Sequence, residues 1–183
     1  FQFKVIAFIV ASAGIAWVSW SSLRNLRSHG FHRFFAWEAI LALILLNVDY
    51  WFYEPFSPNQ IISWLLLCVC TYWVIHGVQL LHMVGKPDSE RKDPLLFGIE
   101  KTTQLVTVGA YRYVRHPLYS SLLFLAWGVF FKHPSWATVS LAVIATFFLT
   151  MTAKMEEAEN IRFFGTAYES YKKHTKMFIP FLF

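Results

Sequence analysis

Residues 109–119 read G-A-Y-R-Y-V-R-H-P-L-Y and place three tyrosines, two arginines and one histidine within eleven positions. Pro117 has a fixed φ and no N–H, so it suits the first turn of a helix, and it pushes His116 toward an extended conformation. The segment therefore predicts a cationic, aromatic cluster at the mouth of an apolar helix. Such a cluster either anchors a protein at lipid headgroups or binds a charged ligand.

A second polar cluster, residues 155–171, reads M-E-E-A-E-N-I-R-F-F-G-T-A-Y-E-S-Y. Glu156, Glu159 and Asn160 share one helical face through their i+3 and i+4 spacing. Such a face is either a solvated helix end with Arg and Lys partners, or a place where a carboxylate receives a cationic group of a ligand. Gly165 indicates a helix stop.

The composition of the chain indicates the class of protein to which these clusters belong. The chain is 56% hydrophobic and 15% charged, whereas a soluble domain carries about a quarter charged residues. Its net charge of +5 indicates membrane orientation and contact with anionic lipid rather than nucleic acid. Cys68 and Cys70 are two apart in an apolar run and face different directions on a helix, so they predict neither a disulfide nor a metal site. We predict an integral membrane protein with no nucleic-acid partner and no metal.

Apolar segments alternate with polar ones, and a helix needs about 20 apolar residues to cross a bilayer. The apolar segments are residues 3–23, 34–53, 61–84, 118–131 and 135–153. The last two predict a helical hairpin across 118–153, although the fourth segment is short for a full crossing. We therefore predict an all-α, polytopic membrane protein of about five transmembrane helices, with connecting and C-terminal helices. Residues 1–84 form an N-terminal three-helix region and residues 85–183 a second region.

The polar segments differ in charge. Segments 23–33, 84–117 and 154–183 contain every Lys and Arg except Lys4 and Lys132. Since cytoplasmic loops carry the excess of Lys and Arg, these three segments are predicted to be cytoplasmic. Ionisable and polar residues within the spans are either functional or hydrogen-bonded between helices, and their roles stay open. They are Glu38, Asp49, His76, Gln79 and His82.

An ordered set of short motifs resembles the isoprenylcysteine carboxyl methyltransferase family, integral membrane enzymes that use S-adenosylmethionine. The motifs are G-x-Y at 109–111, R-H-P-x-Y at 115–119, E-E at 156–157, F-F-G at 163–165 and Y-x-x-Y at 168–171. Each motif alone is short, but the ordered set around a helical hairpin is specific. The resemblance covers roughly residues 102–180, and the short five-span plan is similar to prokaryotic members.

The resemblance implies a cofactor pocket on the cytoplasmic side of the plasma membrane, over the hairpin and within residues 85–183. The positions that match the family's cofactor-binding residues are Gln104, Leu105, Val106, Tyr111, His116, Pro117, Tyr119 and Glu156. The implied catalytic residues are Arg115, His116 and Glu156. Glu156 matches the carboxylate that binds the cofactor's amino group, and either Arg115 or Arg112 suits the cofactor's carboxylate. Thr152 stands where the family often has an Arg assigned to the substrate.

The implied reaction moves a methyl group from S-adenosylmethionine to a lipophilic or lipidated acceptor and leaves S-adenosylhomocysteine. A carboxylate acceptor, such as that of a prenylcysteine, is already ionised at pH 7 and needs no general base. Positioning and water exclusion are then sufficient for catalysis. The sequence leaves open which acceptor is used, the oligomeric state, and whether the C-terminal tail is a lid.

Two alternatives stay open at this point. Membrane sterol reductases share a related C-terminal architecture, but an NADPH site needs extra Lys or Arg for the nucleotide phosphate, and the Glu pair counts against that. The other alternative is a non-enzymatic scaffold or lipid-binding membrane protein, in which the two polar clusters only anchor helices at the interface.

Overall fold

The computed structural model describes residues 2–26, 28–86 and 102–182. Within these ranges the chain is helical, with seven α-helices and no strand. The helices are α1 (Gln2–Val18), α2 (Trp20–Leu23), α3 (His29–Asn47), α4 (Pro58–Met83), α5 (Pro117–Phe130), α6 (Trp136–Phe164) and α7 (Thr166–His174). Arg27 and residues 87–101 of the predicted polar segment 84–117 lie outside the described residues.

Three helices are long and apolar enough to cross a membrane. They are α4, α6 and α3, the last together with the 3₁₀ turn Val48–Tyr50. The sequence explains where they begin: the Ser28 hydroxyl accepts from Phe31 N (3.1 Å), Pro58 opens α4, and Ser135 caps α6. This is the helix content of an integral membrane protein.

The remaining two predicted spans correspond to shorter helices. α1 has 17 residues and is followed by the separate short helix α2, so the predicted span 3–23 is broken at Ser19. α5 has 14 residues, because Pro117 begins it and a turn follows Phe130. The count of five crossings, the hairpin of the last two and the division of the chain near residue 84 stay predictions.

α6 is longer than its predicted apolar span. It ends at Phe164, whereas the apolar sequence ends at residue 153, because residues 154–164 contain neither glycine nor proline. Gly165 then ends the helix with a φ of +61°, a conformation that favours glycine. The predicted stop at Gly165 is confirmed, and α6 carries the acidic pair Glu156–Glu157 beyond the apolar part of the bundle.

The helices pack as a bundle in which α6 lies against α3, and α5 lies against both α4 and α6. At one end of the bundle the Lys4 ammonium contacts Asp49 (2.6 Å), and the Lys132 ammonium donates to the Gln60 side chain (2.9 Å). These contacts bring together the start of α1, the end of α3, the start of α4 and the turn between α5 and α6. The C-terminal ends of α4 and α6 and the N-terminus of α5 therefore lie at the other end.

Candidate functional site

A pocket lies where the ends of α4, α5 and α6 meet α7 and the segment 102–116. It contains about 650 Å³ of empty space, part of it open to solvent. Its apolar wall is formed by Leu81, Leu105, Val106, Pro117, Leu118 and Phe164. Its polar and aromatic wall is formed by Thr102, Tyr111, Arg115, His116, Tyr119, Glu156, Asn160, Tyr168 and Tyr171. The two clusters singled out in the sequence thus face one cavity.

A 3₁₀ turn, Gly109–Arg112, places Tyr111 in the wall. Gly109 has a φ of +58°, and a Cβ at this position would lie 2.8 Å from Leu80 Cδ1, so both the turn and the close approach favour glycine. The Tyr171 hydroxyl donates to the Tyr111 carbonyl oxygen (2.6 Å). The turn and α7 together hold Tyr111 in position.

The imidazole of His116 is buried between Glu156 and Glu157 of α6, with its side chain 3% exposed. Nδ1 lies 3.8 Å from Glu156 Oε1, and Nε2 lies 3.5 Å from Glu157 Oε1. The ring also stacks on Tyr119 at 5.5 Å between centroids. Since Pro117 begins α5, His116 is fixed at the helix entrance by the backbone and by these three side chains.

Glu157 is the centre of a buried ion-pair network. Its Oε1 accepts from Arg115 Nε (2.6 Å), and its Oε2 contacts Lys172 Nζ (2.5 Å). Arg115 Nη1 also donates to the carbonyl oxygens of Thr175 and Lys172. The Glu157 carboxylate therefore links α6 to the start of α5 and to the end of α7.

Glu156 faces the pocket instead. Successive helical residues are about 100° apart around the axis, so neighbouring carboxylates point in different directions. The side chain of Glu156 is 19% exposed, and the imidazole of His116 is the basic group beside it within the part of the chain that the structure describes. Its carboxylate is available to a group entering the pocket.

The C-terminal tail closes one side of the site. Residues 113–116 pair with residues 176–177 through Arg115 N to Lys176 O (2.8 Å), Lys176 N to Tyr113 O (3.0 Å) and His116 N to Met177 O (3.2 Å). Phe178 follows and is fully buried, and its carbonyl oxygen accepts from the Ser120 hydroxyl (2.8 Å). The tail is therefore folded back against the entrance of α5.

Two tyrosines of α7 complete the wall. Burial raises the pKa of the Tyr168 phenol, and the nearby charges of Glu156 and Glu157 raise it further. Burial also raises the pKa of the Tyr171 phenol. Both hydroxyls thus remain protonated hydrogen-bond donors at neutral pH.

Seven of the eight predicted cofactor-binding positions line this pocket, as does Arg115. Gln104 does not line it: its side chain is exposed and its backbone N donates to Gly85 O (3.2 Å). Arg112 is likewise exposed and outside the wall, while Thr152 is buried and donates to Phe148 O (2.7 Å). The roles assigned to these residues stay predictions.

Other polar residues of the spans lie elsewhere. Asp49 pairs with Lys4 at the opposite end, and His76 stacks on Tyr72 at 5.2 Å. His29 was not predicted as a partner of the polar face of α6: it is fully buried at the start of α3, and its Nδ1 lies 2.7 Å from Glu159 Oε2. The predicted polar face of α6 was a signal for such a partner, but it did not indicate which helix supplies it.

Asn160, Phe164, Tyr168 and Tyr171 also line the pocket without having been assigned to it. The Y-x-x-Y motif and the i+4 spacing of Glu156 and Asn160 contained this information. Because these residues follow the apolar part of α6, only the length of that helix and the turn at Gly165 bring them to the cavity.

Comparison with known proteins gives the family. The sequence profile described as phospholipid methyltransferase matches residues 65–167, more than half of the chain. No solved structure matches the chain significantly.

Three curated relatives are similar to parts of the chain. Methanethiol S-methyltransferases of Crocosphaera subtropica and Pseudomonas deceptionensis are each 26% identical, over 72% and 66% of this chain and 47% and 43% of their own length. Protein-S-isoprenylcysteine O-methyltransferase of Schizosaccharomyces pombe is 34% identical over 43% of this chain and 34% of its own length.

The chain thus spans less than half the length of each of these relatives. Their names include both S- and O-methyltransferases, so the relatives agree on the type of reaction and differ in the acceptor. The predicted resemblance to isoprenylcysteine carboxyl methyltransferases is confirmed at the level of the family. The chain belongs to the phospholipid methyltransferase family, which includes isoprenylcysteine carboxyl methyltransferase-like proteins.

Proposed function

We propose that this chain is a membrane-embedded methyltransferase that moves a methyl group from S-adenosylmethionine to a lipophilic acceptor. Its active site is proposed to lie on the cytoplasmic side of a prokaryotic plasma membrane. The observation that carries the proposal is the pocket shared by Tyr111, His116 and Glu156, within a chain of a methyltransferase family. The orientation rests on the excess of Lys and Arg in the segments at that end.

The residues of the pocket fit the cofactor's chemical groups. Glu156 offers a carboxylate whose basic neighbour among the described residues is the imidazole of His116, which leaves it available to a ligand's ammonium group. Tyr111, Tyr119 and Tyr168 offer aromatic faces, which attract a soft cation such as a sulfonium. The apolar wall at Leu81, Val106 and Leu118 suits a purine ring.

S-adenosylmethionine supplies an electrophilic methyl group on sulfur, and the protein's task is to position both reactants and to exclude water. His116, Tyr111 and Tyr119 are buried around the cavity, so they keep that part of the pocket dry. We assign cofactor contact to His116 and Glu156. Arg115 is held by Glu157 and by tail carbonyls, so we assign it the positioning of the wall.

The acceptor is proposed to be lipophilic because the pocket lies at the ends of apolar helices, where an amphipathic molecule enters from the bilayer. A prenylcysteine-type carboxylate is the first compound to test, since its ionised oxygen needs no base. Thiols are the second, because two similar proteins are named methanethiol S-methyltransferases. Transfer of a labelled methyl group to each class, and to total membrane lipids, separates these acceptors.

Calorimetry on the purified protein in lipid nanodiscs tests cofactor binding. We expect S-adenosylhomocysteine to bind, and Glu156→Gln to weaken binding by about thirtyfold, the equivalent of about 2 kcal/mol for a lost charged hydrogen bond. Glu169→Gln is the matched control, because Glu169 is an exposed carboxylate on α7 outside the pocket wall.

Two outcomes would overturn the proposal. If neither S-adenosylmethionine nor its demethylated product binds the wild-type protein, the chain is better described as a lipid-binding scaffold. If NADPH raises the thermal midpoint and S-adenosylmethionine does not, a reductase-type activity replaces the methyltransferase.

A further inference from the structure

A second cleft shares Arg115 with the pocket and is otherwise formed by the end of α7 and the tail. It has about 800 Å³ of empty space, largely open, and the basic side chains of its lining are Arg115, Lys172, Lys173, His174 and Lys176. The single negative charge of Glu157 is shared between Arg115 and Lys172. Lys173 and Lys176 are exposed, and no ion pair is recorded for either within residues 2–26, 28–86 and 102–182. The cleft therefore presents uncompensated positive charge.

Exposed apolar side chains flank this basic cleft. Phe181 and Leu182 are 81% and 77% exposed, and Leu182 also lines the cleft. The Phe181 ring contacts the half-exposed ring of Tyr113, at 6.0 Å between centroids. A cationic surface beside exposed aromatic and aliphatic side chains is the pattern of a segment that lies at a membrane interface.

The depth of the tail supports the same conclusion. Phe178 is fully buried in a cluster with Ala36 of α3, Leu123 of α5 and Leu149 of α6, which are residues of the apolar helices. Leu182 is four residues further, at most about 14 Å of extended chain. The tip of the tail is thus close to the edge of the apolar part of the helix bundle. The lysines that precede Phe178 are then close to the lipid headgroups.

We infer that this cleft binds the headgroup of an anionic phospholipid, with Lys173 and Lys176 at the phosphate and with Phe181 and Leu182 against the acyl chains. Two free cations beside an apolar tip match a ligand that has negative charge and hydrocarbon in one molecule. The tail backbone is paired with residues 113–116, so an occupied cleft also stabilises that wall of the pocket. The inference does not depend on the proposed reaction.

Binding of short-chain phosphatidylglycerol to the full chain in neutral detergent, measured by native mass spectrometry, tests the inference. We expect Lys173→Glu combined with Lys176→Glu to weaken binding by about tenfold or more. Lys154→Glu combined with Arg162→Glu is the matched control, because it changes the same charge at two exposed sites of α6 outside the cleft. The control is expected to bind like wild type.

Further measurements on the wild-type protein keep the test decisive if the double variant fails to fold. Binding of phosphatidylglycerol is expected to weaken as KCl rises, and short-chain phosphatidylcholine is expected to bind more weakly and without that salt dependence. Equal binding of the two lipids, or an equal loss in the control variant, overturns the inference. Glycerol 3-phosphate binding as tightly as phosphatidylglycerol would indicate a site for soluble phosphate instead, and would overturn it as well.

Discussion

The two neighbouring glutamates of α6 differ in their surroundings. Glu156 faces the pocket and the ring of His116, whereas Glu157 is 2% exposed and joined to Arg115 and Lys172. Because the helix turns about 100° per residue, one carboxylate is available to a ligand and the other links three parts of the chain. The E-E pair therefore combines a binding group with a structural one.

This difference predicts that substitution of Glu157 affects stability, whereas substitution of Glu156 affects ligand binding. We expect Glu157→Gln to lower the free energy of unfolding by about 3 kcal/mol, since removing one member of a buried pair leaves Arg115 without its counter-charge. Glu156→Gln is expected to leave stability nearly unchanged while weakening cofactor binding. Thermal midpoints and calorimetry of both variants measure this, and equal loss of stability in the two would contradict the assignment.

At the scale of elements, the tail and α7 determine the shape of the site. The tail pairs with residues 113–116, and Phe178 packs beneath His116, at 6.3 Å between ring centroids. α7 adds the Tyr171 hydrogen bond to Tyr111. The tail is thus a packed part of the wall.

Phe178→Ala tests this packing. Removing a fully buried aromatic ring costs about 3–5 kcal/mol through lost contacts and the cavity left behind, so we expect a lower thermal midpoint and weaker cofactor binding. Phe178→Leu is expected to restore part of both. Phe181→Ala serves as the control because Phe181 is 81% exposed, and a midpoint for Phe178→Ala as high as that of this control would argue against the packing role.

At the scale of the whole molecule, the ion pairs among the described residues lie at the two ends of the bundle. The pocket lies at one end, and Lys132 lies at the other, buried with its ammonium 3.5 Å from the centre of the Trp64 ring. Burial lowers the pKa of this lysine. The cation, the Gln60 side chain and the tryptophan join the turn between α5 and α6 to the start of α4.

The positive-inside rule predicts a membrane topology for this arrangement. In a background of Cys68→Ala and Cys70→Ala, we expect a membrane-impermeant maleimide to label Tyr53→Cys from outside the cell. Thr107→Cys and Ser170→Cys, at the pocket end, are expected to react only after permeabilisation, because Lys and Arg are concentrated there. Labelling of Tyr53→Cys and Ser170→Cys from the same side would contradict the predicted number of crossings.

Much of the site could be predicted from the sequence, because its charged and aromatic residues are grouped in short motifs. The R-H-P-x-Y and E-E motifs contain Arg115, His116, Tyr119 and Glu156, which all line one pocket. His29 and Lys172 were not predictable as partners, since their contacts join residues far apart in the chain.

The sequence by itself determined that the protein is helical and apolar, where the long helices lie and which residues are the chemical candidates. Periodicity, hydropathy and capping residues act locally, so they are readable without a fold. Only the tertiary structure decided which carboxylate faces the pocket, that Gln104 lies outside its wall and that the tail is folded against α5. Those outcomes depend on packing between distant segments, which local sequence does not encode in a readable form.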